Sequence, residues 1–287
     1  MKTHELPITF KCQGDALLGI IHLPDQPSHR GVLSIVAGGP QYRAGCGRQL
    51  VYLGRKLAAE GIPVMRFDYR GMGDSTGLFR GFNDIEDDLR AALRAFREHA
   101  PMVTEFVLWG GCDAASASMM NAWRFPEVKG LILGNPWVHS EETSDRVTVK
   151  HYYWQRLRER SFWIKVLRFQ FNPLPALSMI GRVLRPHRSI AHPSNSFESL
   201  SFQDKMREGI QCFHGHILLL MSGKSLVSKE FDELVQTEPA WCNAMKSPAS
   251  VTRHDLPEAD QTFSTMEARN KMIFLAEQWL KTWPENH

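Results

Sequence analysis

Residues 108–118 read Leu-Trp-Gly-Gly-Cys-Asp-Ala-Ala-Ser-Ala-Ser and set Cys112 between Gly110 and Ala114. A sharp strand-to-helix turn that holds a nucleophile clear of the backbone needs small residues two positions away on either side. Gly110-x-Cys112-x-Ala114 is a variant of that Gly-x-Ser-x-Gly elbow. Such a turn places the side chain at the amino end of a helix, where unpaired amides and the helix dipole favour negative charge. The expected consequence for a cysteine is a lowered thiol pKa and more thiolate, the reactive form. The chemistry would be attack on an acyl carbon; the competing reading is a small buried thiol tolerated after a strand.

Acyl transfer also needs donors aimed at the developing oxyanion. The amide of Asp113, the residue after the nucleophile, is one expected donor. The other is expected from Gly38-Gly39-Pro40-Gln41, where glycines let the backbone approach a substrate; Pro40 has no amide hydrogen, so Gly39 or Gln41 must supply it. The same four residues also read as a plain tight turn. A second glycine-rich run, Asp68 to Gly77, is no dinucleotide fingerprint: counting from Gly71, Thr76 stands where the third glycine would fall.

The elements around these turns alternate. Two short apolar runs, Ile8 to Cys12 and Leu17 to Leu23, are separated by Gln13-Gly14-Asp15 and predict a β-hairpin. Strands are expected at 32–36, 64–69, 106–109 and 128–133, with helices at 50–59, 85–99 and 114–123 between them. This pattern predicts βαβ crossovers and a mostly parallel sheet with ligand sites at the carboxyl ends of its strands. From about 139 to 211 strand signals give way to aromatic and basic residues, which predicts an inserted helical cap within a single domain spanning 1–287. The sheet pattern resumes with a strand at 217–221, a helix over 231–245, a strand at 251–256 and a closing helix over 266–283.

Composition bounds the rest. The chain has 287 residues, 43% hydrophobic and 23% charged, with a formal net charge of +3, the profile of a globular protein large enough for one α/β core. That charge gives no reason to expect nucleic acid as a partner. No run approaches the ~18 apolar residues of a membrane span, and the first residues lack the apolar core of a signal peptide, so a cytoplasmic location is expected. The five cysteines form neither a C-x-x-C pair nor an even set, so a disulfide framework or structural zinc site is unexpected; acyl transfer through a cysteine implies no metal or organic cofactor.

Four stretches together resemble the exosortase A system-associated hydrolases of type 1, a branch of the α/β-hydrolases: Gly38 to Arg43, Phe67 to Ser75, Trp109 to Ser116 and Gly134-Asn135-Pro136-Trp137-Val138. The similarity continues through Lys150-His151-Tyr152-Tyr153 and the turn holding Ser264. It implies the α/β-hydrolase fold, a mostly parallel eight-stranded sheet flanked by helices, with cysteine as nucleophile. It also implies a cytoplasmic protein linked to exopolysaccharide production and to sorting of proteins with a PEP-CTERM tail.

The resemblance also marks two departures. Ser225 stands where the family is expected to place an aspartate, and Gln261 stands where it is expected to place the catalytic histidine; neither side chain accepts a proton at neutral pH. His254 precedes Gln261 by seven residues, up to roughly 23 Å along an extended strand. His139 leaves the sheet on the active-site side, and Asp232 follows the seventh strand. These three are the candidate substitutes, each also readable as an ordinary structural residue. Within 141–190, ten Lys/Arg stand against four acids. That segment fits either an anionic, carrier-linked acyl substrate or a solvated face whose long stems cover apolar surface. The function expected is hydrolysis of an ester or thioester through Cys112; the alternative is a degenerate hydrolase-fold protein that binds an acylated or anionic partner.

Overall fold

The computed structural model describes residues 2–39, 41–139, 197 and 200–283. Eight strands form one sheet: β1 (Thr3–Cys12), β2 (Asp15–Pro24), β3 (Arg30–Ile35), β4 (Val64–Phe67), β5 (Glu105–Gly111), β6 (Val128–Gly134), β7 (His216–Ser222) and β8 (Ser250–Leu256). Their order is β1-β2-β4-β3-β5-β6-β7-β8. The β1–β2 hairpin is antiparallel and joins β4 antiparallel, whereas every pairing from β4 through β3 to β8 is parallel.

The parallel strands read as continuous apolar runs because helices cover both faces of the sheet. Val32, Leu33 and Ile35 of β3, Phe106 to Leu108 of β5 and Leu131 to Leu133 of β6 are all fully buried. The flanking helices are α1 (Gln49–Ala59), α2 (Glu86–His99), α3 (Asp113–Asn121), α4 (Phe202–Gln211), α5 (Leu226–Thr237), α6 (Pro239–Ala244) and α7 (Met266–Lys281). Three acids, Glu86, Asp87 and Asp88, sit in the first turn of α2, where they complement the positive end of its dipole. Buried Asp88 accepts from the backbone N–H of Arg70 at 2.8 Å and from its guanidinium at 2.8 and 3.1 Å, which fixes the glycine turn after β4. Among the described residues no helix is long and apolar enough to cross a membrane.

Two expectations need adjusting. The helix expected over 231–245 is two helices, α5 and α6, because Pro239 lacks an amide hydrogen and holds the preceding Glu238 extended at φ −103°, ψ 112°. Most of the cap expected over 139–211 lies outside the described residues. Its last part, α4, packs on α3 so closely that a Cβ on Gly209 would lie 2.2 Å from the Met119 carbonyl oxygen. Ser201 caps α4 by accepting from the Asp204 amide at 3.1 Å.

Candidate active site

β5 ends at Gly111 and α3 begins at Asp113, so the chain reverses direction at one residue, Cys112. Its backbone takes φ 53°, ψ −124°, a region sparsely populated by residues with a Cβ and held only where the surroundings over-determine it. Those surroundings are visible. The Cys112 amide donates to Gly134 O at 2.8 Å, and its carbonyl accepts from the amides of Ala115 (3.0 Å), Ser116 (3.2 Å) and Trp137 (3.3 Å). Ser116 Oγ donates to Trp137 O at 2.6 Å. Gly110 is obligatory, since a Cβ there would lie 2.4 Å from Ala114 O.

The thiol does not behave as expected from the helix position alone. Burial pushes the Cys112 pKa up, and the neighbouring Asp113 carboxylate pushes it further; hydrogen bonds from Gln261 and from the Asp113 amide act in the opposite direction and do not prevail. The amide field at the start of α3 is real, but α3 opens with an acid beside the sulfur, in a half-buried place where water cannot screen it. Asp113 is itself raised by burial, and its Oδ1 accepts from the Gly38 amide at 2.8 Å. Gly38 is thereby committed to Asp113, whereas among the described residues the Gly39 and Gln41 amides have no hydrogen-bond partner. The space where a Gly39 Cβ would stand is open. The Gln41 side chain lies 3.5 Å from Cys46 Sγ.

Gln261 is brought to the nucleophile position: its Nε2 donates to Cys112 Sγ at 3.2 Å. The turn carrying it is organised by Asp260, which accepts from the Thr262 amide at 3.2 Å, from the Ser264 amide at 2.8 Å and from the Ser264 hydroxyl. Those bonds hold the Asp260 carboxyl below its ordinary pKa. Fully buried Asn135, at φ 49°, ties this turn to the sheet. Its Nδ2 donates to Gln261 O (2.8 Å) and Ser222 Oγ (2.9 Å), while its Oδ1 accepts from the Ser222 amide (2.8 Å) and Ser228 Oγ (2.6 Å).

Residues 28–178, more than half of the chain, match the family described as serine aminopeptidase, S33. The chain belongs to the S33 serine aminopeptidase family, and so to a family of hydrolases. No curated protein matches it. Among solved structures it is similar to the Pyrococcus furiosus esterase Pf2001, with a TM-score of 0.65 at 13% identity over 98% of this chain and 92% of that one. A thermostable carboxyl esterase from Bacillus coagulans superposes with a TM-score of 0.62 at 14% identity, covering 98% of each chain. An alpha-beta serine hydrolase homologue from Coxiella burnetii gives 0.57 at 15% identity, over 96% of this chain and 98% of that one. At such identities the likeness shows the shared α/β-hydrolase fold.

In this S33 member the remaining sequence candidates are scattered. Ser225 is buried and caps α5 by accepting from the Ser228 amide at 3.3 Å; among the described residues no hydrogen bond links it to Gln261 or Cys112. Asp232 is bound to Arg253 of β8, at 2.6 Å to Nη1 and 2.9 Å to Nη2, and therefore braces the edge strand. His254 lies within β8 opposite Leu220, short of the strand end, and has no described bond to the elbow. His139 leaves β6 on the correct side and its Nδ1 lies 3.2 Å from both carboxylate oxygens of Glu230.

Sequence reasoning misses the contacts of three polar groups around this candidate site. Glu230 is an acid on the buried stripe it shares with Phe231 and Leu234 of α5, and a charge on an apolar stripe is the signal that could have found it. Asn135 stands inside a motif but reveals its role only through partners distant in sequence. Asp68, wholly buried, accepts from the Arg43 amide and guanidinium, while Arg43 reaches Asp74 at 2.7 Å. Burial raises the Asp68 pKa, and the Arg43 contact anchors the loop that carries Gln41 to the end of β4.

Proposed function

We propose that this S33-family chain hydrolyses a carboxylic ester or thioester by transferring the acyl group to Cys112. The observation that carries the reading is the strained elbow, whose sulfur is held between the Gln261 amide and the start of α3. The thiolate attacks the carbonyl carbon, and the carbonyl oxygen takes the charge against the Asp113 amide and one of the Gly39 or Gln41 amides. The alcohol or thiol then leaves with a proton, and water releases the acid. Gln261 cannot accept a proton, but its N–H favours thiolate over thiol. A thiol nucleophile suits thioesters, because its acyl adduct is close in energy to the substrate. The ten Lys/Arg against four acids within 141–190 support a carrier-linked acyl substrate, anionic in character, and the resemblance to exosortase-associated hydrolases supports a cytoplasmic setting linked to exopolysaccharide production.

A second reading rests on a specific observation: the thiol is raised and the side chain touching it is a carboxamide, so the fold would bind an acylated partner without turning it over. The test compares the full chain with Cys112→Ala on p-nitrophenyl esters and acyl-CoA thioesters, with mass mapping of trapped acyl groups. Turnover that disappears in Cys112→Ala, together with an acyl adduct on Cys112, supports the hydrolase. Saturable binding with neither turnover nor adduct establishes the binder.

A further inference from the structure

We infer that His139 and Glu230 form the proton-transfer pair that serves Cys112, replacing the histidine absent from position 261. The inference rests on Cys112 being the acyl-accepting nucleophile.

Glu230 lies in the first half of α5 with a side chain only 6% exposed. Among the described residues its hydrogen-bond partner is His139 alone, with Nδ1 at 3.2 Å from both oxygens. A carboxylate withdrawn from water and left without a cation or donor is strongly disfavoured, so this contact accounts for Glu230 being there at all. From the imidazole's side, a carboxylate on Nδ1 fixes the ring orientation and puts the neutral ring's proton on that nitrogen. Nε2 is left with its lone pair, no described partner and a side chain 46% exposed. A buried acid that orients an exposed imidazole through Nδ1 is the arrangement a general base requires.

The pair is also tied to the elbow from two sides. Gly134 of β6 is in register with Gly111 of β5, so β6 leaves the sheet beside the elbow. The Trp137 amide donates to Cys112 O at 3.3 Å, and the Trp137 ring stacks on the His139 ring with centroids 6.1 Å apart and an interplanar angle of 22°. From the other direction Ser228, half a turn before Glu230 on α5, is bonded to Asn135, and Asn135 to the Gln261 carbonyl. The imidazole is thus clamped between a ring bound to the nucleophile's backbone and a helix bound to the residue on its sulfur.

Gln261 covers the sulfur, so His139 acts on water rather than on the thiol. Water adds to the acyl carbon of the Cys112 thioester while Nε2 takes the proton it loses. The tetrahedral adduct then expels the sulfur as thiolate, and the imidazolium gives its proton to solvent, from which the thiolate is reprotonated. Acyl-cysteine and water become carboxylic acid and free thiol, with Glu230 acting throughout as a positioning residue. In this order acylation does not require His139, whereas deacylation does.

The test is a rapid-mixing measurement on the full chain with p-nitrophenyl acetate, reading the acylation burst separately from steady turnover. The expected result for His139→Ala is an undiminished burst followed by steady turnover reduced about 10²-fold or more, partly recovered by added imidazole. Glu230→Gln should lower steady turnover less, keep the burst and gain nothing from imidazole. His139→Gln, which keeps a donor for Glu230, guards against a folding failure: the same burst with slow turnover is expected from a chain that melts like the parent. Steady turnover in His139→Ala and His139→Gln equal to the parent's overturns the pair while leaving Cys112 as nucleophile. A parent chain with no burst, or a burst that survives Cys112→Ala, overturns the nucleophile reading and this inference with it.

Discussion

The end of β5 and the ends of β7 and β8 face the same space and have been equipped differently. At β5 the turn carries a positive-φ residue, a glycine where a Cβ would strike backbone, and an amide turned towards the sulfur. At β7 and β8 the turns are in place and Gln261 reaches the sulfur, but the side chains delivered there, Ser225 and Gln261, do not titrate in the neutral range. Geometry and acid–base capacity are therefore separable properties of one site. The first is built by the backbone, and the second depends on a side-chain head group.

The largest expected effect restores the missing capacity. Ser225→Asp with Gln261→His puts a base on the thiol itself and should raise the rate of the acylation step by about 10² or more, within the usual contribution of a general base; an unchanged acylation rate would break the comparison. Next comes the scaffold behind position 261. Asn135→Ala strands the Ser222 amide, the Ser228 hydroxyl and the Gln261 carbonyl, and should cost about 3 kcal/mol in urea denaturation. Gly110→Ala should cost roughly 2 kcal/mol and open the elbow, because backbone must move to admit the methyl group. Gly39→Ala, with open space at its Cβ, should leave the denaturation midpoint in place.

Smaller still is the pH signature. Because burial and Asp113 raise the Cys112 thiol, its thiolate fraction at neutral pH lies below that of an ordinary thiol. Iodoacetamide should therefore label it more slowly than glutathione near pH 8, with the rate still climbing above pH 9. Gln261→Ala removes a donor that favours thiolate and should displace that profile further towards alkali; a shift towards acid would contradict the role given to the amide. At the bottom of the scale, the exposed pair Lys224–Glu258, 2.6 Å apart between the same two strand ends, is screened by solvent. Lys224→Ala should leave stability and turnover unaltered.

Much of the architecture was legible because the code for it is local. Apolar runs such as Val-Leu-Ser-Ile-Val at 32–36 can only be strands covered on both faces, and the small residues around Cys112 announce a tight reversal. The break in the helix at Pro239 was also written locally, in the proline itself, and passing over it fused α5 with α6. The meeting of Gln261 with Cys112 came from resemblance, since 149 positions separate them. What could not be read is whatever depends on burial. The direction of the Cys112 pKa is decided by how little water reaches the sulfur and by where Asp113 points. Such quantities belong to the packed interior and have no short-range signature.

The grip of Asn135 on this region is taken through the main-chain oxygen of residue 261 rather than through its side chain. Any amino acid of similar size can occupy that spot while the loop keeps its course. Substitution there is a change of reagent within an unchanged vessel: it alters the reactivity offered to the sulfur and leaves the folding equilibrium almost untouched.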